Sequence, residues 1–183
     1  MSTATRWLLA CLLVLVQTLA AGADTTRVVV DTVSQTLTVM RGPEAILSLE
    51  GIAIGRAGVS GGKYRGDNRT PLGRYSITSI RDSDRFHRFI ALSYPNDVDA
   101  ERALDEGAID RATRDRIVAA IDADRPPPQN TVLGGHIGIH GLGGGDPDIH
   151  ATLNWTRGCV ALTNAQVDQL LPWLRIGMVV EIR

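Results

Sequence analysis

The chain reads as a mostly-β domain with small helical inserts. Three observations predict this. Runs rich in β-branched residues recur along most of the sequence, glycine- and proline-bearing turns separate them, and helical spacing of apolar residues appears only in the middle and near the end. The length of 183 residues suits one core of ordinary size. With 44% hydrophobic and 21% charged residues, wholesale disorder is excluded. The net charge is −1, from 19 basic and 20 acidic residues, so no basic field exists for nucleic acid. Lys63 is the only lysine.

Taken in order, the first element is a leader. Arg6 precedes the apolar run Trp7–Val16, and Ala21-Gly22-Ala23 forms a small-residue cleavage site. This pattern predicts a cleavable signal peptide over residues 1–23 and a mature domain over 24–183. The run is too short to span a bilayer well, so no stable membrane span is expected after cleavage. The expectation is export across the inner membrane into the periplasm. Cleavage would remove Cys11 and leave Cys159 as the one thiol in an oxidising compartment. Such a thiol is either buried and incidental or kept reduced because it reacts.

Arg27–Asp31 and Gln35–Met40 read as paired strands with Val33-Ser34 as the turn, Leu37 and Val39 alternating with threonines. After the break at Arg41-Gly42-Pro43, Ala45–Ile54 reads as another strand. Gly55 to Arg69 carries five glycines and is expected to be a mobile surface loop. Strands follow at Arg74–Ile80 and Phe89–Ser93. Ala100–Glu106 and Asp110–Ala123 show spacings of three and four, with Gly107 between them and Pro126-Pro127-Pro128 as the stop. Their densely charged polar face predicts an excursion lying on the surface. His136–His140 reads as a strand and Gly141–Gly145 as a flexible loop. Thr163-Asn164-Ala165-Gln166 is a capping-box signature opening a short helix with Val167, Leu170 and Leu171 as its apolar face. Met178–Ile182 closes the chain as a strand.

Chemistry concentrates around Cys159, within Trp155-Thr156-Arg157-Gly158-Cys159. A glycine before the thiol lets the backbone turn sharply, so the amides of Arg157, Gly158 and Cys159 can converge as an oxyanion hole. The thiol needs a base, and His87, His136, His140 and His150 are the candidates. A metal site built from His136, His140, His150 and Cys159 competes with this reading. On a strand, however, positions 136 and 140 lie about 13 Å apart, beyond the reach of one ion, and the surrounding glycines oppose a helix. No metal or other cofactor is expected.

Ile139-His140-Gly141 followed by Thr156-Arg157-Gly158-Cys159-Val160 resembles the signature of the L,D-transpeptidase catalytic domain, the YkuD family. Gln35–Val39, Thr70-Pro71-Leu72-Gly73, Leu162-Thr163-Asn164 and Gly177–Ile182 are similar to further parts of that family's pattern, residues 96–131 being least typical. The resemblance implies an L,D-transpeptidase-like β-sandwich or barrel acting on peptidoglycan stem peptides. It implies Cys159 as nucleophile, His140 as general base and the Gly141 carbonyl as the partner orienting the imidazole. Thr156 would bind substrate or brace the loop, and His136 would flank the site. The family's arginine or asparagine two residues after the cysteine is replaced by Ala161, for which the Arg157 side chain could substitute. The acyl-enzyme would pass to an amine, on a stem peptide or a wall-linked protein, or to water. A carboxypeptidase or other hydrolase, and a catalytically silent wall-binding module, remain as alternatives.

Overall fold

The computed structural model describes residues 26–183. The leader expected over residues 1–23 lies outside them. Among the described residues, no helix is long and apolar enough to cross a membrane.

β1 (Thr26–Asp31), β2 (Thr36–Arg41) and β3 (Glu44–Glu50) form an antiparallel meander. Val28, Val29 and Val30 are all buried, as suits an inner strand, whereas β2 buries only Leu37 and Val39 between its threonines. β4 (Val59–Ser60) pairs with β5 (Thr70–Pro71). β6 (Gly73–Ser83) and β7 (His87–Leu92) form a long hairpin. Helices α1 (Asp97–Asp105) and α2 (Arg111–Asp122) intervene before β8 (Gly138–His140). α3 (Pro147–Thr152), β9 (Val160–Ala161), α4 (Asn164–Leu170), a 3₁₀ turn (Leu171–Trp173) and β10 (Val179–Ile182) complete the chain.

Eight strands share one mixed sheet in the order β3-β2-β1-β10-β6-β7-β8-β9. The eleven-residue β6 serves both halves and carries a register shift between Ile77 and Ser79, where the ladder bends. Beyond β3 the chain turns at Gly51, and Ala53 then exchanges both backbone hydrogen bonds with Ala161, at 3.0 and 2.7 Å. The continuation of one edge strand therefore meets the other edge strand, and the sheet curls toward closure around a common core. That core runs from Val28 and Val30 through Ile77, Ile90 and Ile139 to Val160, Leu162 and Val180. α4 seals one end with fully buried Val167 and Leu170. Its capping box forms as expected, and Gln166 Nε2 also donates to the Glu50 carbonyl at 2.8 Å.

The architecture expected from sequence is present, with several local corrections. The strand expected to reach Ile54 ends at Glu50, because Gly51 takes a φ of +71°. The segment from Gly55 to Arg69 is not a plain surface loop. It contributes β4 and buries Lys63, whose Nζ reaches Asp67 Oδ1 at 2.6 Å. The strand expected from His136 begins at Gly138, since His136 itself adopts a φ of +56°. The 141–145 loop is clamped: Asn164 accepts from the Gly143 N–H and donates to its carbonyl, both at 2.9 Å. α1 and α2 do more than lie on the surface. Ala100, Ala103, Ile109 and Ile117 form with Leu133 a second small core, against which Tyr64 packs.

Candidate active site

β8 and β9 run parallel, with Ile139 beside Val160 and His140 beside Ala161. Facing residues of such a pair point to one side of the sheet, as do residues two apart on one strand. Cys159 directly precedes β9, and carrying the strand alternation back one residue puts it on the face of Ala161 and His140. Strand spacing places their Cα atoms about 8 Å apart on the diagonal.

His140 is buried in an aromatic surround. Phe86 lies 4.2 Å from its ring centre, Phe89 stacks at 6.1 Å, and Trp155 meets it edge-on at 5.8 Å. Its Nδ1 is 2.7 Å from the Gly141 carbonyl oxygen. A carbonyl only accepts, so the proton sits on Nδ1 and Nε2 is left as the basic nitrogen. Burial holds the imidazole pKa below its usual value, the Gly141 carbonyl acting in the opposite direction and the Arg85 and His150 charges adding to the decrease. The ring is thus neutral at neutral pH.

The thiol is also neutral at rest. Burial pushes the Cys159 pKa up to about 11, against the opposing influences of a Gly138 backbone hydrogen bond and the Lys63 charge. In this structure the sulfur contacts the His136 carbonyl oxygen at 3.4 Å, to which the thiol donates. Both shifts, the thiol's upward and the imidazole's downward, run against an ion pair at rest.

The turn before Cys159 explains the order Thr-x-Gly-Cys. The Thr156 hydroxyl donates to the Cys159 carbonyl at 2.6 Å and accepts from the Gly158 N–H at 3.1 Å. Thr156 thus braces the loop, one of the two roles expected for it. Of the three amides expected to form an oxyanion hole, the Gly158 N–H is engaged by Thr156 in this structure. Gly158 has a φ of +129°, and a Cβ there would lie 2.6 Å from the Arg69 carbonyl oxygen and 3.1 Å from Lys63 Cε. No other residue fits.

The remaining expected residues are dispersed. His136 and the exposed Arg157 line a cleft of about 510 Å³ beside the thiol, together with Lys63 and Arg65. Ala161 has no exposed surface, being enclosed between His140 on β8 and Ala53. His87 pairs with Asp168 at 2.8 Å. His150, expected in a spacer loop, is buried on α3, where its Nδ1 accepts from Trp155 Nε1 at 3.3 Å. Trp155, Phe86 and Lys63 were missed as site residues. Only the solitary lysine was a usable signal. Among the described residues, no group of three His, Cys, Asp or Glu side chains could hold a metal ion.

No curated protein matches the chain significantly in sequence. Among solved structures, the helical cell shape determining protein Pgp2 from Campylobacter jejuni superposes with a TM-score of 0.58 at 20% identity, over 87% of this chain and 48% of that one. Bd1075 from Bdellovibrio bacteriovorus gives 0.57 at 17% identity, over 87% and 48%. An L,D-transpeptidase from Xylanimonas cellulosilytica gives 0.51 at 16% identity, over 89% and 62%. The chain spans about half the length of the first two, and these likenesses establish the fold. The profile of the YkuD L,D-transpeptidase catalytic domain matches residues 25–182, nearly the whole chain, and the chain belongs to that family.

Proposed function

We propose that the chain is an exported, peptidoglycan-modifying cysteine L,D-transpeptidase, acylated through Cys159 by a stem tetrapeptide and transferring the acyl group to an amine. The observation that carries this reading is the shared sheet face of Cys159 and His140, with Nδ1 held by the Gly141 carbonyl so that Nε2 is the basic nitrogen. The Cys159 sulfur attacks the carbonyl carbon of the third stem residue while its proton passes to His140 Nε2. The N–H groups of Arg157 and Cys159 receive the developing oxyanion. Collapse breaks the C–N bond, and the terminal D-alanine leaves as an amine carrying the proton returned by His140. An acceptor amine then attacks the thioester, loses a proton to His140 and displaces the sulfur, which regains a proton as the free thiol. Water in place of the amine would give hydrolysis.

Incubation with tetrapeptide muropeptides, products resolved by mass, tests the proposal. Cross-linked dimers are expected. Shortened monomers would make the enzyme a carboxypeptidase, and unchanged substrate would leave a binding module. Cys159→Ala is expected to abolish turnover while remaining folded, and His140→Ala to reduce it by roughly 10²–10⁴-fold.

A further inference from the structure

We propose that His150 is a positioning residue for the acyl-transfer reaction: it accepts the indole proton of Trp155 and so holds that ring against the base, His140. The inference rests on the acyl-transfer reading given above. His150 is a buried histidine that the proposed chemistry does not use. Its Nδ1 accepts from Trp155 Nε1 at 3.3 Å, which puts its own proton on Nε2. That Nε2 is shut off from solvent and, although the Gly51 backbone lies beside the ring, makes no hydrogen bond of normal geometry. A buried imidazole with one nitrogen left over is a costly way to fill a core position, and an apolar side chain of similar size would fill it without that cost. What the histidine supplies, and an apolar residue does not, is an acceptor for the indole.

Trp155 reaches the base directly. Its ring meets that of His140 edge-on, with 5.8 Å between centres and 66° between planes. Phe86 and Phe89 lie closer to parallel with the imidazole, at 33° and 11°, so the indole is the wall of different orientation. The Gly141 carbonyl anchors Nδ1, and the aromatic walls set the plane in which Nε2 lies. The backbone that carries Trp155 is tied down on both sides. Asn154 Oδ1 accepts from the Ile54 N–H at 2.9 Å, and the Thr156 N–H donates to the Ile54 carbonyl at 3.1 Å. The side chain depends on its one polar atom, Nε1, which has His150 as its partner among the described residues. His150 is in turn placed by α3, where its backbone N–H donates to the Asp146 carbonyl at 3.1 Å. The Asp146 side chain caps that helix by accepting from the N–H groups of Asp148 and Ile149. A short line of contacts therefore runs from a capped helix through His150 and Trp155 to the base.

Two variants of the full-length protein separate the hydrogen bond from packing. His150→Leu removes the acceptor at similar volume, and His150→Asn restores one near the position of Nδ1. With a tetrapeptide muropeptide as substrate, His150→Leu is expected to lower kcat by roughly 10- to 100-fold, the scale of a small misplacement of a reacting group. KM should change little, because His150 lines no part of the cleft beside the thiol. His150→Asn should recover most of kcat. The Trp155 indole signal in a nitrogen–proton correlation spectrum, assigned by its loss in Trp155→Phe, should move upfield in His150→Leu and stay downfield in His150→Asn. Trp155→Phe breaks the same hydrogen bond from the other side, so the two losses should not multiply in the double variant. Should His150→Leu not fold, a kcat lowered in Trp155→Phe but kept in His150→Asn carries the comparison. Unchanged kcat in a folded His150→Leu, a loss that His150→Asn does not relieve, an indole signal indifferent to His150, or losses that multiply would overturn the assignment. Failure of the acyl-transfer reading shows up separately, as wild-type protein that neither turns the muropeptide over nor forms a mass adduct at Cys159.

Discussion

At the scale of single residues, the burial of His140 and of the Cys159 thiol sets the expected pH behaviour of the proposed reaction. His140 must be unprotonated to accept the thiol proton. Burial lowers its pKa from 6.5, so the acid limb of kcat/KM is expected below pH 6.5 rather than at it. The thiol, pushed up to about 11, is not a thiolate at neutral pH, so its alkylation by iodoacetamide should keep accelerating well above pH 9. A plateau in alkylation reached near pH 7 would instead reveal a stable thiolate–imidazolium pair. The same burial couples to folding. His140 and His150 both have lowered pKa values in the fold, so the unfolded chain takes up protons first as the pH falls. Their contribution is complete above the unfolded pKa near 6.5 and is lost progressively below it, which chemical denaturation at pH 7.5 and 5.5 should register as reduced stability at the lower value. Ala161 also belongs to this scale. It has no exposed surface, being enclosed by His140 on β8 and by Ala53.

At the scale of elements, the brace between Thr156 and the Gly158–Cys159 peptide fixes the backbone that carries the proposed nucleophile. Thr156→Val keeps the shape and removes both hydrogen bonds, leaving the buried Gly158 N–H without its acceptor. The cost is expected to be about 1–3 kcal/mol, and turnover should fall because the two remaining oxyanion donors lose their alignment. Thr156→Ser, which restores the hydroxyl, should recover most of both. Equal impairment in Thr156→Ser would mean that the methyl contact, not the brace, matters. Elements of this kind were partly legible in the sequence. Capping boxes and β-branched alternation are local signals, so α4 and the β1–β2 meander were readable from their own residues. The bends at Gly51 and His136 were not, because each depends on a distant partner: β9 meets the chain beyond Gly51, and Gln129 grips His136. Five glycines between Gly55 and Arg69 looked mobile for the same reason, since nothing nearby in sequence announces the burial of Lys63.

At the scale of the whole molecule, the proposed nucleophile and base could be read from one compact motif, whereas the cleft could not, because it is assembled from three separated stretches around 63–68, 129–136 and 157. What joins the first two is the helical excursion. Tyr64 and Leu133 both pack with Ala100, Ala103, Ile109 and Ile117, so the second core ties one cleft wall to the other. Tyr64 is further held from α1, contacting Glu106 through its hydroxyl and Arg102 over its ring. The insert is therefore a support for the cleft rather than a decoration of the sheet. Ile117→Ala removes a fully buried side chain from that core, far in sequence from every cleft residue except those it supports. A loss of roughly 2–5 kcal/mol is expected if the second core unfolds with the rest. The more telling readout is local. Amide hydrogen exchange should accelerate at 63–66 and 129–136, and KM for the donor peptide should rise. Iodoacetamide reactivity of Cys159 should change little, since the β8–β9 pair and the main core are untouched. Should exchange accelerate only within α1 and α2, with KM unchanged, the excursion and the cleft are energetically independent, and the walls are held by the hydrogen bonds of Arg65, Gln129 and Tyr94 alone.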